Sequence, residues 1–81
     1  MTMATALAPW RERNPLRRWR LAENVTVSDT AVMLGVSTNT TTKWERGGGT
    51  PAPMRMVRLA RVTGNKHIAQ EWHAWQREQS A

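Results

Sequence analysis

Thr38, Asn39, Thr42, Lys43 and Arg46 are the residues whose types and spacing carry chemistry. On an α-helix, at about 100° per residue, they share one polar and basic arc, while Thr41 and Trp44 fall opposite, suited to packing. The chemistry of such an arc is the reading of base edges. The Asn39 amide can pair with adenine N6 and N7 together, and Lys43, one turn later, reaches guanine O6 and N7 or a phosphate. Thr38 and Thr42 each offer a hydroxyl to base or phosphate and a methyl group to thymine. The alternative is a merely solvated face, but β-branched and short polar residues are poor helix formers, and an idle helix would not need them.

The surrounding segment, Thr26 to Gly47, must position that arc. It reads as two short helices joined by the turn Gly35-Val36-Ser37. Glycine takes a left-handed conformation cheaply and closes the first helix, while Ser37 caps the second by accepting from a free backbone amide. Val36 dips into the core between them. Thr26 caps the first helix, in which Val27, Thr30, Ala31 and Leu34 share one face. The second helix spans Thr38 to Glu45 or Arg46. This arrangement is how a helix-turn-helix presents its second helix to the DNA major groove.

The rest of the chain reads as support. Residues 1–13 have no sustained period and are expected to form a flexible arm, from which Arg11 and Arg13 could follow a groove. Residues 14–81 are expected to form the domain. Asn14-Pro15 starts helix 1, which runs to about Glu23 with Leu16, Trp19 and Arg20 inward and Arg17 and Arg18 outward. Gly47-Gly48-Gly49 ends the third helix in a loop. Pro53 begins helix 4, with Met56, Val57 and Ala60 inward and Arg55, Arg58 and Arg61 on the other side. Asn65 caps helix 5, at about 66–79, where Ile68, Trp72 and Trp75 form an apolar stripe. That stripe either closes the core of the single chain or forms a dimer interface, tryptophan being a frequent interface anchor. The fold class is therefore all-α, with five helices.

Composition bounds the function. At 81 residues there is room for one domain, and twelve basic residues against six acidic give a net charge of +6. Such an excess points to a polyanionic partner. With no cysteine there is neither a disulfide nor a cysteine-ligated zinc site, and the five tryptophans are the only aromatic residues. No apolar run approaches the roughly 20 residues that cross a bilayer. MTMATALAPW is too short and too weakly apolar for a secretory signal, so a bacterial cytoplasmic or nucleoid location is expected. His67 and His73 point to different sides of one helix, and six scattered acids suggest no catalytic arrangement. No enzyme activity, metal, cofactor or small-molecule ligand is expected.

The ordered set Trp19-Arg20, Ala31, Leu34-Gly35-Val36-Ser37, Trp44-Glu45-Arg46-Gly47 and Pro51 resembles the phage-repressor and Cro family, the lambda-repressor-like or XRE-type helix-turn-helix. The resemblance runs from Leu16 to about Val62. It implies a compact five-helix DNA-binding domain with the helix-turn-helix in helices 2 and 3, and an ion pair between Arg20 and Glu45. A glutamate at the core-side edge of helix 3 needs such a cation if it is desolvated. The chain departs from the family pattern at Val27, where a glutamine is common, and at Thr30 and Thr41, where leucine and isoleucine are usual. Each buried hydroxyl must find an acceptor, expected to be the carbonyl one turn back. Val32 and Met33 stand where the family tends to be charged.

Base contacts are accordingly expected from Thr38, Asn39, Thr42 and Lys43. Phosphate contacts are expected from Arg46, Gly48, Gly49, Thr50 and Arg55, and more weakly from Arg17 and Arg18. The implied function is a sequence-specific regulator, a small repressor of phage, plasmid or other mobile-element origin that binds a palindromic double-stranded operator as a homodimer. A protein-interaction adaptor or antitoxin-type module on the same fold is the alternative.

Overall fold

Each helix of the helix-turn-helix region begins where the chain supplies a cap. The computed structural model describes residues 9–80, and all regular structure among them is helical. A 3₁₀ turn at Trp10–Arg13 precedes α1 (Pro15–Ala22), α2 (Val27–Leu34), α3 (Thr38–Glu45), α4 (Pro53–Thr63) and α5 (Ile68–Ser80). Before α1, Asn14 Oδ1 accepts from the Arg17 amide at 2.9 Å, with Pro15 at the first helical position. Thr26 Oγ1 accepts from the Asp29 amide at 3.1 Å, and Ser37 Oγ from the Thr40 amide at 3.0 Å. Such caps hold about 1 kcal/mol each. Gly35 ends α2 at φ 70°, a left-handed conformation that lets the Val36 amide reach back to the Ala31 carbonyl.

The core gathers Leu16, Leu34, Trp44, Met56, Leu59, Ile68, Trp72 and Trp75 from all five helices. Thr30 and Thr41 are fully buried between α2 and α3. Their hydroxyls donate to the carbonyls of Thr26 and Ser37, at 2.8 and 3.1 Å, so neither is left unsatisfied. The Trp72 indole N–H has no acceptor among the described residues; that ring meets Trp75 edge to face.

Three expectations shift. The inner face of α4 is carried by Met56 and Leu59, whereas Val57 is half exposed. Helix α5 starts at Ile68 because the Asn65 side chain first accepts from the His67 amide, forming a turn. The third shift concerns the arm expected over residues 1–13. Residues 1–8 lie outside the described residues, but Trp10–Arg13 is docked. The Trp10 and Trp75 rings stack with centroids 3.9 Å apart and planes 3° from parallel. Each indole N–H donates to the other residue's carbonyl at 2.7 Å. A tryptophan so placed exchanges water for apolar surface and has its one polar group satisfied.

This stack reaches the end of α3. Gly47 has φ 79°, and a Cβ added there would lie 2.4 Å from the Trp10 ring and 3.2 Å from that of Trp75. Any side chain must both enter the left-handed region and displace the stack. Gly47→Ala is expected to destabilise the fold by about 2–4 kcal/mol from these two effects together. The check is thermal unfolding followed by circular dichroism, where a Tm within about 2 °C of the wild type would contradict the close packing.

Candidate nucleic-acid interface

Helix α3 turns one side to the core and the other outward. Thr41, Trp44 and Glu45 are buried, while Thr38, Asn39, Lys43 and Arg46 are exposed and Thr42 is half-buried. The five outward residues form the continuous polar arc expected from their spacing. Because α3 contains four threonines and an asparagine, its intrinsic preference falls short of an alanine helix by about 3 kcal/mol. Tertiary ties must hold it.

Those ties converge on its C-terminal end. Arg20 Nε donates to Glu45 Oε2 at 2.8 Å and Arg20 Nη2 to Glu45 Oε1 at 3.0 Å, a two-pronged pair between α1 and α3. Arg20 is 9% exposed and Glu45 5%, so the pair is shielded from water. Arg20 Nη1 also donates to the Val25 carbonyl at 3.2 Å, fixing the loop before α2. Arg17 Nη1 lies 3.6 Å from the same Glu45 carboxylate. The buried Asn14 amide donates to the Trp44 carbonyl at 3.4 Å.

The outward arc is bordered on both sides. Between α1 and α3, the charged side chains of Arg11, Glu12, Arg17, Arg20, Glu45 and Arg46 line a cleft of about 380 Å³ that Val27 and Thr42 also border. On the other flank, Asn39, Thr42, Lys43, Arg46, Gly48 and Gln79 line a shallow groove of about 550 Å³. Gln79 comes from the far end of α5, and no spacing in the sequence announces that it lies beside α3. Lys43 lies along the glycine loop: a Cβ at Gly48 would be 3.0 Å from Lys43 Cγ, and one at Gly49 3.3 Å from Cε.

The expected phosphate contacts divide. Arg46 and Arg55 are exposed, with Arg55 Nη1 beside the Gly35 turn, about 4.0 Å from where a Cβ would stand. The Gly49 amide makes no hydrogen bond among the described residues, but the Gly48 amide donates to the Lys43 carbonyl at 2.9 Å and is spent. The Thr50 hydroxyl donates to Gln76 Oε1 at 2.9 Å, drawing Thr50 towards α5. Arg17 donates to both Glu12 oxygens at 3.2 Å, and this hydrogen bond pushes its pKa up from the ordinary arginine value. Arg18 opens onto grooves with Trp19, Asn65, Glu71 and Glu78, which share no residue with the arc. Gly48, Thr50, Arg17 and Arg18 are thus occupied or turned elsewhere.

The apolar stripe of α5 resolves towards the single-chain core. Ile68, Trp72 and Trp75 are 1%, 0% and 4% exposed, covered by the chain's own helices and by Trp10, so they present no face to a second copy. Among the described residues no group of histidine, cysteine or acidic side chains could hold a metal ion. No helix among them is long and apolar enough to cross a membrane.

Comparison with known proteins adds one match. The sequence profile of a family described as helix-turn-helix fits residues 16–69. No curated protein and no solved structure gives a significant match.

Glu45→Ala is expected to cost about 3–5 kcal/mol, because Arg20 would be left charged and buried without its partner. The double change Arg20→Met with Glu45→Leu should cost less than either single change. Urea unfolding of the three variants checks both; a loss below about 1 kcal/mol for Glu45→Ala would mean that the pair does not hold α3.

Proposed function

Since the chain belongs to the lambda-repressor-like (Cro/CI, XRE-type) helix-turn-helix family, a family of DNA-binding regulators, we propose that it is a sequence-specific repressor of a phage, plasmid or other mobile element. The observation that carries this reading is the exposed arc of α3, which ends at Arg46 and is neighboured by Arg55, neither of which has an acidic partner among the described residues. Asn39, near the start of α3, reads adenine, and Thr38, Thr42 and Lys43 extend the contact along the groove. Arg46, Arg55 and the Gly49 amide hold the backbone and set the register. The protein acts in the bacterial cytoplasm, without cofactor or catalysis, and occupies a palindromic operator as two copies whose half-sites lie about one helical turn apart. Because the α5 stripe is buried, the copies meet through another surface or are brought together by the DNA itself.

One observation favours a second reading. Val32 is 78% exposed and Met33 40%, an outward apolar pair on α2 that suits an adaptor or antitoxin-type module binding a protein. Asn39→Ala separates the two. Under DNA reading it removes roughly 1–3 kcal/mol of preference for a selected duplex over a random one, with little change on the random duplex. Selection of sites from random DNA, followed by titration of both duplexes at physiological salt, measures this. Equal affinity of the wild type for the two would overturn the proposal.

A further inference from the structure

The N-terminal 3₁₀ turn bears directly on the cleft beside α3. Four arginines and two glutamates line it, but their charges do not cancel evenly. Arg20 is taken by Glu45, and Arg17 by Glu12 and Glu45. Arg11 and Arg46 remain, and among the described residues neither has an acidic partner. One of them, Arg46, already belongs to the outward arc of α3. The other stands on a turn whose backbone is fixed on both sides.

That fixing is specific. Trp10, immediately before Arg11, is stacked on Trp75 and exchanges two hydrogen bonds with it. Glu12, immediately after, is held by Arg17. Arg13 donates to Glu78 at 2.6 Å. The Arg11 amide-to-carbonyl frame is closed further by the Asn14 amide, which donates to the Arg11 carbonyl at 3.3 Å. With the backbone on both sides tied, ordering the exposed Arg11 side chain on an anion loses little entropy beyond its own rotamers.

The geometry points to Arg11 as a DNA-backbone contact, held by the Trp10–Trp75 stack across the cleft from the α3 arc, where it and Arg46, at the end of that arc, bind one phosphodiester. This rests on the DNA-binding reading above and deepens it. A guanidinium presents paired donors that match phosphate oxygens, and two unpaired cations facing one cleft suit a single phosphodiester charge. Arg11 is then a positioning residue, which strengthens binding without choosing bases.

The test uses the full chain, the selected duplex and a random duplex, titrated across a range of salt. Arg11→Ala should weaken binding to both duplexes by a similar factor, about five- to tenfold at low salt, and flatten the dependence of log affinity on log salt by about 0.9. Arg61→Ala, an exposed cation near the end of α4 that lines neither groove beside α3, should leave both quantities unchanged. Trp10→Ala should weaken binding in the same way, and adding it to Arg11→Ala should lower affinity less than it does alone. Wild-type affinity for Arg11→Ala, or weakened binding with an unaltered salt slope, overturns the assignment of Arg11 alone. A wild type that binds no duplex overturns both this inference and the DNA-binding reading.

Discussion

A helix in which half the residues are threonine is unstable by itself, and the buried pair of Arg20 and Glu45 is the constraint that lets it exist. Neither charge is tolerable alone at that depth, since desolvation of an unpaired ion costs several kcal/mol. Each is therefore bound to the other, and α1 to the end of α3. Arg20 has a third donor on the Val25 carbonyl, so the same side chain also fixes the entry to α2. The geometry of the helix-turn-helix thus follows from one guanidinium whose three directions are all used.

The other ties act at the same end of α3. Asn14 caps α1 with its oxygen and holds the Trp44 carbonyl with its nitrogen, so one buried amide serves two helices. Trp10 and Trp75 close over Gly47 immediately beyond the helix. At the opposite end, Ser37 and the Gly35 turn set where α3 begins. Between α2 and α3 the packing is partly polar, yet each buried threonine hydroxyl bonds within its own helix. The contact therefore keeps methyl groups against the neighbouring helix without leaving a polar group unsatisfied, which would cost about 1–3 kcal/mol.

What could be read from the sequence was mainly local. Asn14, Thr26 and Ser37 cap helices through bonds to amides only three residues away, so residue type and spacing suffice to place them. The arc of α3 follows from helical periodicity alone. Residues Ile68, Trp72 and Trp75 were legible as an apolar stripe, but a stripe does not say what covers it; here α1, α4 and Trp10 do. The docking of Trp10 depends on a partner 65 residues away and on a turn too short to show a period, so nothing nearby in the chain signals it. On α4 the spacing did carry the answer, since Met56, Leu59 and Ala60 stand at i, i+3 and i+4 on the buried face while Val57 lies about 100° from Met56. There Arg58 Nε donates to the Met33 carbonyl at 3.2 Å, a tertiary contact that periodicity does not encode. The internal bonds of the expected phosphate-binding groups were hidden in the sequence as well. Whether the Gly48 amide, the Thr50 hydroxyl or the Arg17 guanidinium is free depends on neighbours that only the folded chain supplies.

The division of charge across the interface follows from these placements. Four of the five outward residues on and after α3 are neutral or carry lysine, and the arginines stand around them rather than among them. An arginine in the middle of the arc would add attraction to every phosphate nearby and so raise affinity for all sequences alike. Threonine and asparagine add little net attraction, but they leave hydrogen-bonding groups unpaired when the wrong base faces them, which is where discrimination arises. Rigid support makes that penalty effective. If α3 could tilt or fray at Gly47, mismatched groups would turn to water and the difference between sequences would shrink. On the DNA-reading proposed above, the buried ion pair, the amide of Asn14 and the stacked indoles would serve selectivity without touching a base, by holding the polar arc rigid.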